Sequence, residues 1–215
     1  YAHAIGAVYR NADPSDVVVT AAGGLVGEVV QIWKPKELNT FETEWGFSCM
    51  GYEISGALGM KMAKPDQDFI VFIGDGSYLL QNSDIYSSII YDKKLIIIVC
   101  DNAGHMVINR LQLAKGGKEY LCNLKSSRAS NFVEVDFAAH AASMGAETET
   151  VKSTTELEAA FLRAKKSKKT YVISIKTHGY KWLEGTAFWE SPTLEVSSTE
   201  ENKKAFSEHQ QGKKK

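Results

Sequence analysis

The sequence predicts an α/β fold: a doubly wound, mainly parallel sheet with helices on both faces. Three observations carry this. Two apolar runs, Phe69–Ile73 and Leu95–Cys100, read as buried strands. Each ends in a tight polar loop, Gly74-Asp75-Gly76-Ser77 after the first and Asp101-Asn102-Ala103-Gly104 after the second. An amphipathic segment, Ser83–Tyr91, lies between them and completes a βαβ unit. Both loops then share the carboxyl edge of parallel strands, where open α/β sheets bind ligands.

The other elements follow in order. Ala2–Asn11 carries Ile5, Val8 and Tyr9 at helical spacing, and Pro14 and Asp16 end it. Val17–Val19 is a short buried strand. Thr20-Ala21-Ala22-Gly23-Gly24 turns into a second helix, Leu25–Trp33, and Thr40–Glu44 alternates like a strand. Tyr52–Ala63 is a helix with Ile54, Leu58 and Met62 as its buried stripe and Ala57 and Gly59 permitting close packing. Beyond the central unit, His105–Leu113 reads as a helix and Ala114–Arg128 as a basic, glycine-bearing loop. Asp136 is an N-cap for a helix that presents Phe137, Ala141 and Met144 on one face and stops at Gly145. A strand near Thr148–Val151 precedes a helix capped by Thr154 or Thr155, with Leu157, Ala160, Phe161 and Ala164 inward. Tyr171–Ile175 is the last strand. Residues 1–178 are expected to form one domain. Residues 179–215 form a tail, with an aromatic segment (Tyr180, Trp182, Phe188, Trp189) and a polar helix, Ser197–Gln211.

The 215 residues suffice for one sizeable domain, and a net charge of −1 leaves no nucleic-acid footprint. Cys49, Cys100 and Cys122 are odd in number and form no C-x-x-C, which reads as free thiols in a reducing, cytoplasmic compartment. No apolar run approaches a membrane span, so no membrane partner is expected. No signal peptide opens the chain, and a start at Tyr1 favours a piece of a larger protein.

Asp75 and Asn102 can meet at the sheet edge. A carboxylate, an amide oxygen and the Gly104 carbonyl make a hard oxygen set suited to Mg²⁺. The glycines let peptide N–H groups, those of Gly76 and Ser77, approach a phosphate closely. Together they would hold a magnesium diphosphate. A lone Gly-Asp-Gly is common in turns; the whole strand–GDGS–helix–strand–DN-x-G pattern is what gives each piece a role. The Thr20–Gly24 turn either receives an anion at a helix amino end or is a plain tight turn. His105 either contacts diphosphate or substrate or is a surface residue. By pattern alone Met50 is a core residue and Cys49 a small space-filler. No His/Cys set has zinc spacing, nothing reads as a Ser-His-Asp triad, and no G-x-G-x-x-G follows the first strand.

The runs TAAGGLVGE, EWGFSCMGYEISGALGMKMA, GDGSYLL and CDNAGHMVINRLQ resemble thiamine-diphosphate-dependent enzymes. Within that family the chain is similar to the cofactor domain of the trihydroxycyclohexane-1,2-dione hydrolases of inositol breakdown, from about Asp16 to Ile175. The resemblance implies thiamine diphosphate and Mg²⁺ as cofactors. It implies metal on Asp75, Asn102 and Gly104. It implies cofactor contacts at Gly24, Leu25, Ser48, Met50, Gly76, Ser77, Ala103, Gly104 and His105. Met50 would be a wedge under the bent cofactor, and the Ser48 carbonyl would accept a hydrogen bond from the cofactor's amino group.

The implied activity is cleavage of a C–C bond in a cyclic 1,2-diketone with water, giving a ring-opened acid, and its carbon chemistry belongs to the cofactor. The activating glutamate is expected from a pyrimidine-binding domain of the same or a partner subunit. Glu42, Glu44 and Glu53 lie in the wrong motif context, so no catalytic residue is assigned and the chain alone would be inactive. A homo-oligomer is expected, through an apolar patch at Trp45, Phe47 and the helix after Met50. An acetolactate-synthase-like carboligase or decarboxylase uses the same metal motif. The GFSCMGYE and DNAGHMVINRLQ stretches favour the hydrolase; His105-Met106 and Lys115–Leu124 depart from its pattern. A non-catalytic assembly module is the third reading.

Overall fold

The computed structural model describes residues 1–126, 132–183 and 193–212. Its strands are β1 (Val17–Thr20), β2 (Phe41–Thr43), β3 (Phe69–Gly74), β4 (Ile96–Asp101), β5 (Glu147–Val151) and β6 (Tyr171–Lys176). They form one sheet in the order β2-β1-β3-β4-β6-β5, and every pairing is parallel. The two runs that anchored the sequence reading are adjacent central strands, with Ile70 opposite Ile96 and Gly74 opposite Cys100.

Strand alternation divides the core into two layers. Val18, Ile70, Phe72, Ile96 and Ile98 point to one face. There they meet α1 (Ala2–Asn11), α2 (Gly23–Ile32) and α8 (Thr154–Lys166) through Ile5, Val8, Leu25, Val29, Leu157 and Phe161. Val17, Val19, Val71, Ile73, Ile97 and Val99 point to the other. They meet α3 (Tyr52–Ala63), α5 (Asp84–Ile90) and α7 (Phe137–Ser143) through Ile54, Leu58, Ile85 and Phe137. The sheet is therefore doubly wound. From β1 the chain steps outward to β2, then returns to β3 on the other side of β1, so strand order reverses between β1 and β3. A crevice opens at the carboxyl ends of strands at such a reversal.

Several expectations are corrected. Gly74–Ser77 is not a loop: α4 (Asp75–Leu80) starts at Asp75, directly on β3. Helix α2 starts at Gly23, whose φ of 79° only glycine adopts without strain. Met62 is 42% exposed. At 3.6 residues per turn it lies about 80° round from Ile54, whereas Lys61 lies within about 20°. Lys61 takes the buried position and donates to the Gln67 carbonyl at 2.6 Å. Gly59 faces open space. Ser153, not Thr154 or Thr155, caps α8 by accepting from the Glu156 N–H. Asp136 caps α7 as expected. Phe188 and Trp189 lie outside the described residues. Tyr180 and Trp182 lie against α6 (Met106–Ala114) and the loop after it: the Tyr180 hydroxyl donates to Glu119 at 2.5 Å, and Trp182 stacks on Arg110. The polar helix is α9 (Glu200–Gly212). Among the described residues no helix is long and apolar enough to cross a membrane.

The amino edge of the sheet is held by ions. Lys165 on α8 reaches Asp16 at 2.5 Å, Asp13 at 2.9 Å and Asp68 at 3.0 Å, and Lys94 also pairs with Asp68. Burial pulls the Lys165 ammonium down, but the three carboxylates together hold it above the usual lysine range. Removing one partner of a buried charge group costs about 3 kcal/mol or more. Lys165→Met is therefore expected to lower the urea unfolding free energy by about that amount. An unchanged midpoint would show that the cluster is only decoration of the surface.

Candidate functional site

The sheet's carboxyl edge carries a cavity of about 660 Å³, within the range typical of small-molecule sites. Its floor is the end of β3 and the start of α4, Gly74 to Ser77. Its walls are α2 and α6, with Trp45, Ser48 and Met50 from the segment before α3. Of the residues singled out from sequence, Gly24, Leu25, Ser48, Met50, Asp75, Gly76, Ser77, Gly104 and His105 all line it. Asn102 and Ala103 lie behind the wall, on the turn from β4 into α6.

The floor follows from strand register. With Gly74 opposite Cys100, Asp75 stands beside the turn that follows Asp101. Its Oδ2 accepts the Gly104 N–H at 2.6 Å. Asp75 is 2% exposed. Burial, and then the charge of Asp101, push its pKa up to about 6, although peptide N–H groups of Gly104, Gly76 and Asn102 act the other way. Among the described residues no lysine or arginine lies within ion-pair distance of it. Asp101, by contrast, pairs with Lys176.

Asn102, behind the wall, is the second oxygen-bearing side chain near Asp75. Its Nδ2 donates to the Tyr1 hydroxyl, while its Oδ1 is buried and has no hydrogen-bond partner. Buried amide oxygens are seldom left unpaired, and a water or ion is one partner such an oxygen can take. An orphaned amide oxygen, a buried unpaired carboxylate and main-chain oxygens nearby fit a hard cation such as Mg²⁺. Among the described residues no group of three or more His, Cys, Asp or Glu side chains is arranged for a metal, so a mixed oxygen set of this kind is what the cavity offers.

Gly104 has no room for a side chain: a Cβ there would lie 2.1 Å from the Cys122 carbonyl oxygen. A Cβ on Gly76 would meet the His105 ring at 2.6 Å and Met50 Cε at 3.5 Å, so these three residues converge over the floor. Helix α2 has Ala22 as its N-cap and no side-chain cap, which leaves the N–H groups of Gly24 and Leu25, both in the cavity lining, without an intrahelical partner. Met50 is 37% exposed and belongs to the cavity wall, not the core. Cys49 is exposed and fills no space; its N–H and that of Phe47 donate to the Glu44 carboxylate. Ala103 is an exception among the expected ligand contacts. It does not line the cavity; its N–H donates to Asp101 and its carbonyl accepts from the Leu124 N–H. It and Ser48 hold left-handed backbone, φ 64° and 52°, a strained state for non-glycine residues that clusters at working sites.

Three residues were missed or set aside in the sequence. Glu53 is 1% exposed. Its carboxylate accepts from Gly51 N–H at 2.8 Å and Ala22 N–H at 3.4 Å. Burial raises its pKa against those hydrogen bonds. One side chain thus ties the starts of α2 and α3 together beside the cavity. Glu28 is buried and lines the inner wall, and the Tyr1 hydroxyl anchors Asn102. The Ala22–Glu53 and Tyr1–Asn102 contacts have no local sequence signal, since each joins distant segments.

Residues 21–175 match the family model described as thiamine pyrophosphate enzyme, C-terminal TPP binding domain. A protein of Lacticaseibacillus casei named 3D-(3,5/4)-trihydroxycyclohexane-1,2-dione hydrolase is 37% identical over 215 residues, covering 97% of this chain and 33% of the relative. The protein of that name from Bacillus subtilis is 36% identical, covering 90% of this chain and 30% of the relative. The chain thus spans about a third of the length of the relatives it matches. Two solved structures share the fold. Benzoylformate decarboxylase from Polynucleobacter necessarius superposes with a TM-score of 0.67 at 19% identity, covering 82% of this chain and 33% of that one. A thiamine diphosphate-dependent 4-hydroxybenzoylformate decarboxylase of Rhodococcus jostii RHA1 gives 0.70 at 18%, covering 82% and 32%.

The buried floor makes a pH prediction for chelator-treated protein. The folded pKa of Asp75, about 6, lies above the ordinary carboxylate value. Folded chains then bind more protons between about pH 4 and 6, so stability is full below that window and falls as pH rises through it. Asp75→Asn keeps an oxygen for the Gly104 N–H and removes the charge. It is expected to raise stability at pH 7.5 by on the order of 3 kcal/mol, with the gain vanishing near pH 4. Thermal melts of both proteins across that range read this directly; parallel curves would remove the unpaired buried charge from the account.

Proposed function

The chain belongs to the thiamine pyrophosphate enzymes, as their C-terminal TPP-binding domain, and from that premise we propose that it holds the magnesium diphosphate end of the cofactor in a C–C bond hydrolase. The observation that carries the reading is the unpartnered Oδ1 of Asn102 beside the buried, unpaired carboxylate of Asp75. Asp75 would supply charge to Mg²⁺, Asn102 an amide oxygen and Gly104 its carbonyl. The open N–H groups of Gly24 and Leu25, with those of Gly76 and Ser77, would receive the diphosphate. His105 stands over the same floor. The Met50 side chain would shape the cofactor's bend from the wall, and the Ser48 carbonyl would face its amino group.

When bound, thiamine diphosphate supplies a nucleophilic carbon and an electron sink. The residues of this chain would do the rest by position: the floor would hold the Mg²⁺ that offsets the diphosphate charge, and Glu53 ties the starts of α2 and α3 together beside it. The substrate class we infer is a cyclic 1,2-diketone, trihydroxycyclohexane-1,2-dione, cleaved with water to a ring-opened acid. Relatives at 36 and 37% identity with that hydrolase name support it. The decarboxylases are similar at 19 and 18% and speak for the fold alone, so a decarboxylase or carboligase stands second. An activating glutamate would come from a pyrimidine-binding domain, in the part of the relatives' length that this chain does not span or in a partner subunit. Phe47, 91% exposed, and the nearby Met50 would meet that neighbour in a homo-oligomer. Three free cysteines suit a reducing cytoplasm.

Calorimetry with thiamine diphosphate tests the assignment. Wild-type chain is expected to bind in Mg²⁺ and not in chelator. Asp75→Ala and Asn102→Ala are each expected to lower affinity by about tenfold or more, Asp75→Ala by the larger factor because it removes charge and not a dipole alone. Mg²⁺-dependent binding by Asp75→Ala equal to wild type would sink the metal site and the reading built on it.

A further inference from the structure

The cavity carries positive charge outside the cofactor contacts assigned above. Helix α6 leaves the floor beside His105 and runs outward along the wall, where Arg110 and Lys115 both line the cavity. At the helical rise they lie about 7.5 Å and about 15 Å beyond His105 along the axis. The Arg110 guanidinium sits 4.6 Å from the ring centroid of Trp182, a residue of the segment after β6. A guanidinium held over an aromatic face keeps its in-plane N–H donors for another partner. Among the described residues no carboxylate lies within ion-pair distance of Arg110 or Lys115. The acidic residues nearest Arg110 along the chain are engaged elsewhere, Glu119 by Asn109 and Tyr180 and Asp101 by Lys176. The cavity thus carries the Asp75 carboxylate on its floor and two cations, Arg110 and Lys115, farther along α6.

We propose that Arg110, with Lys115 behind it, is a carboxylate-binding subsite at the outer end of the cavity, and that its ligand is a polyhydroxylated monocarboxylic acid. The inference deepens the functional reading and rests on it in one respect. Hydrolysis of the bond between two adjacent carbonyls adds hydroxyl to one carbon, which becomes a carboxyl group, and hydrogen to the other, which becomes an aldehyde. No oxidant is needed. The neutral diketone thus acquires an ionised carboxylate only on opening, and a fixed guanidinium distinguishes the two through a bidentate, charge-assisted pair. Arg110 binds the acid as it forms and carries it toward the mouth, while Asp75 and Asn102 keep the inner end for the metal.

The test uses gluconate and its uncharged counterpart, glucitol, titrated into the chain with thiamine diphosphate and Mg²⁺ present. Tryptophan fluorescence is the readout, since Trp182 lies against Arg110. A saturable change with gluconate and none with glucitol is expected. Arg110→Gln is expected to weaken gluconate binding by about tenfold or more, with Lys115→Gln weaker in effect. Trp182→Phe is expected to remove the signal while calorimetry still detects gluconate, which ties the signal to this site. Equal responses to gluconate and glucitol, or unchanged gluconate affinity in Arg110→Gln, overturns the proposal. Cofactor binding measured on the same samples separates the two readings. Intact cofactor binding without a gluconate response defeats this inference alone, and absent cofactor binding in wild type defeats the functional reading instead.

Discussion

The parallel pairing of β3 with β4 is the constraint from which the site follows. It sets Gly74 opposite Cys100, so the residues that leave the two strands, Asp75 and Asp101, come out side by side. Two carboxylates at one edge must be answered. Asp101 is answered by Lys176 from β6. Asp75 is answered only by peptide N–H groups, chiefly that of Gly104, and its raised pKa measures the shortfall. The Gly104 N–H reaches it because the turn bends through Ala103 in left-handed backbone and because Gly104 has no Cβ to strike Cys122. A cation would relieve the charge and the orphaned Asn102 oxygen in one step.

The two ends of the sheet are built for different ends. At the amino edge, Lys165 pairs with three carboxylates. At the carboxyl edge the charge is unbalanced, the backbone is strained at Ser48 and Ala103, and the α2 start is uncapped. Working sites commonly break local rules that the rest of the fold obeys. Glu53 holds this edge in shape all the same, by bonding to the peptide N–H groups of Gly51 and Ala22.

What the sequence made legible is what short-range pattern encodes. Apolar runs revealed β3 and β4, three-and-four spacing revealed the buried stripe of α8, and Asp136 announced its own cap. The GDGS stretch misled because two glycines in four residues argue against a helix, yet α4 begins there. Met62 misled because an eight-residue step slides off a helix face and lets Lys61 in. Cys49 misled because burial of a small apolar residue is a tertiary property. For the site, glycines and acids on strand ends were readable, since they follow from the βαβ pattern. Glu53, Tyr1 and Arg110 were not. Their partners lie on other elements, and a glutamate or arginine on a helix reads as a solvated charge until the fold closes around it.

The central claim, that the β3–β4 edge builds a cation site from Asp75 and Asn102, is tested most directly by diffraction. Crystals of the chain grown with thiamine diphosphate and Mn²⁺ in place of Mg²⁺ would give anomalous scattering at the metal. The account predicts one strong peak on the cavity floor, about 2.1 Å from an Asp75 carboxylate oxygen and from Asn102 Oδ1. A peak elsewhere, or a diphosphate bound on this floor with Asn102 Oδ1 still unpartnered, would contradict it.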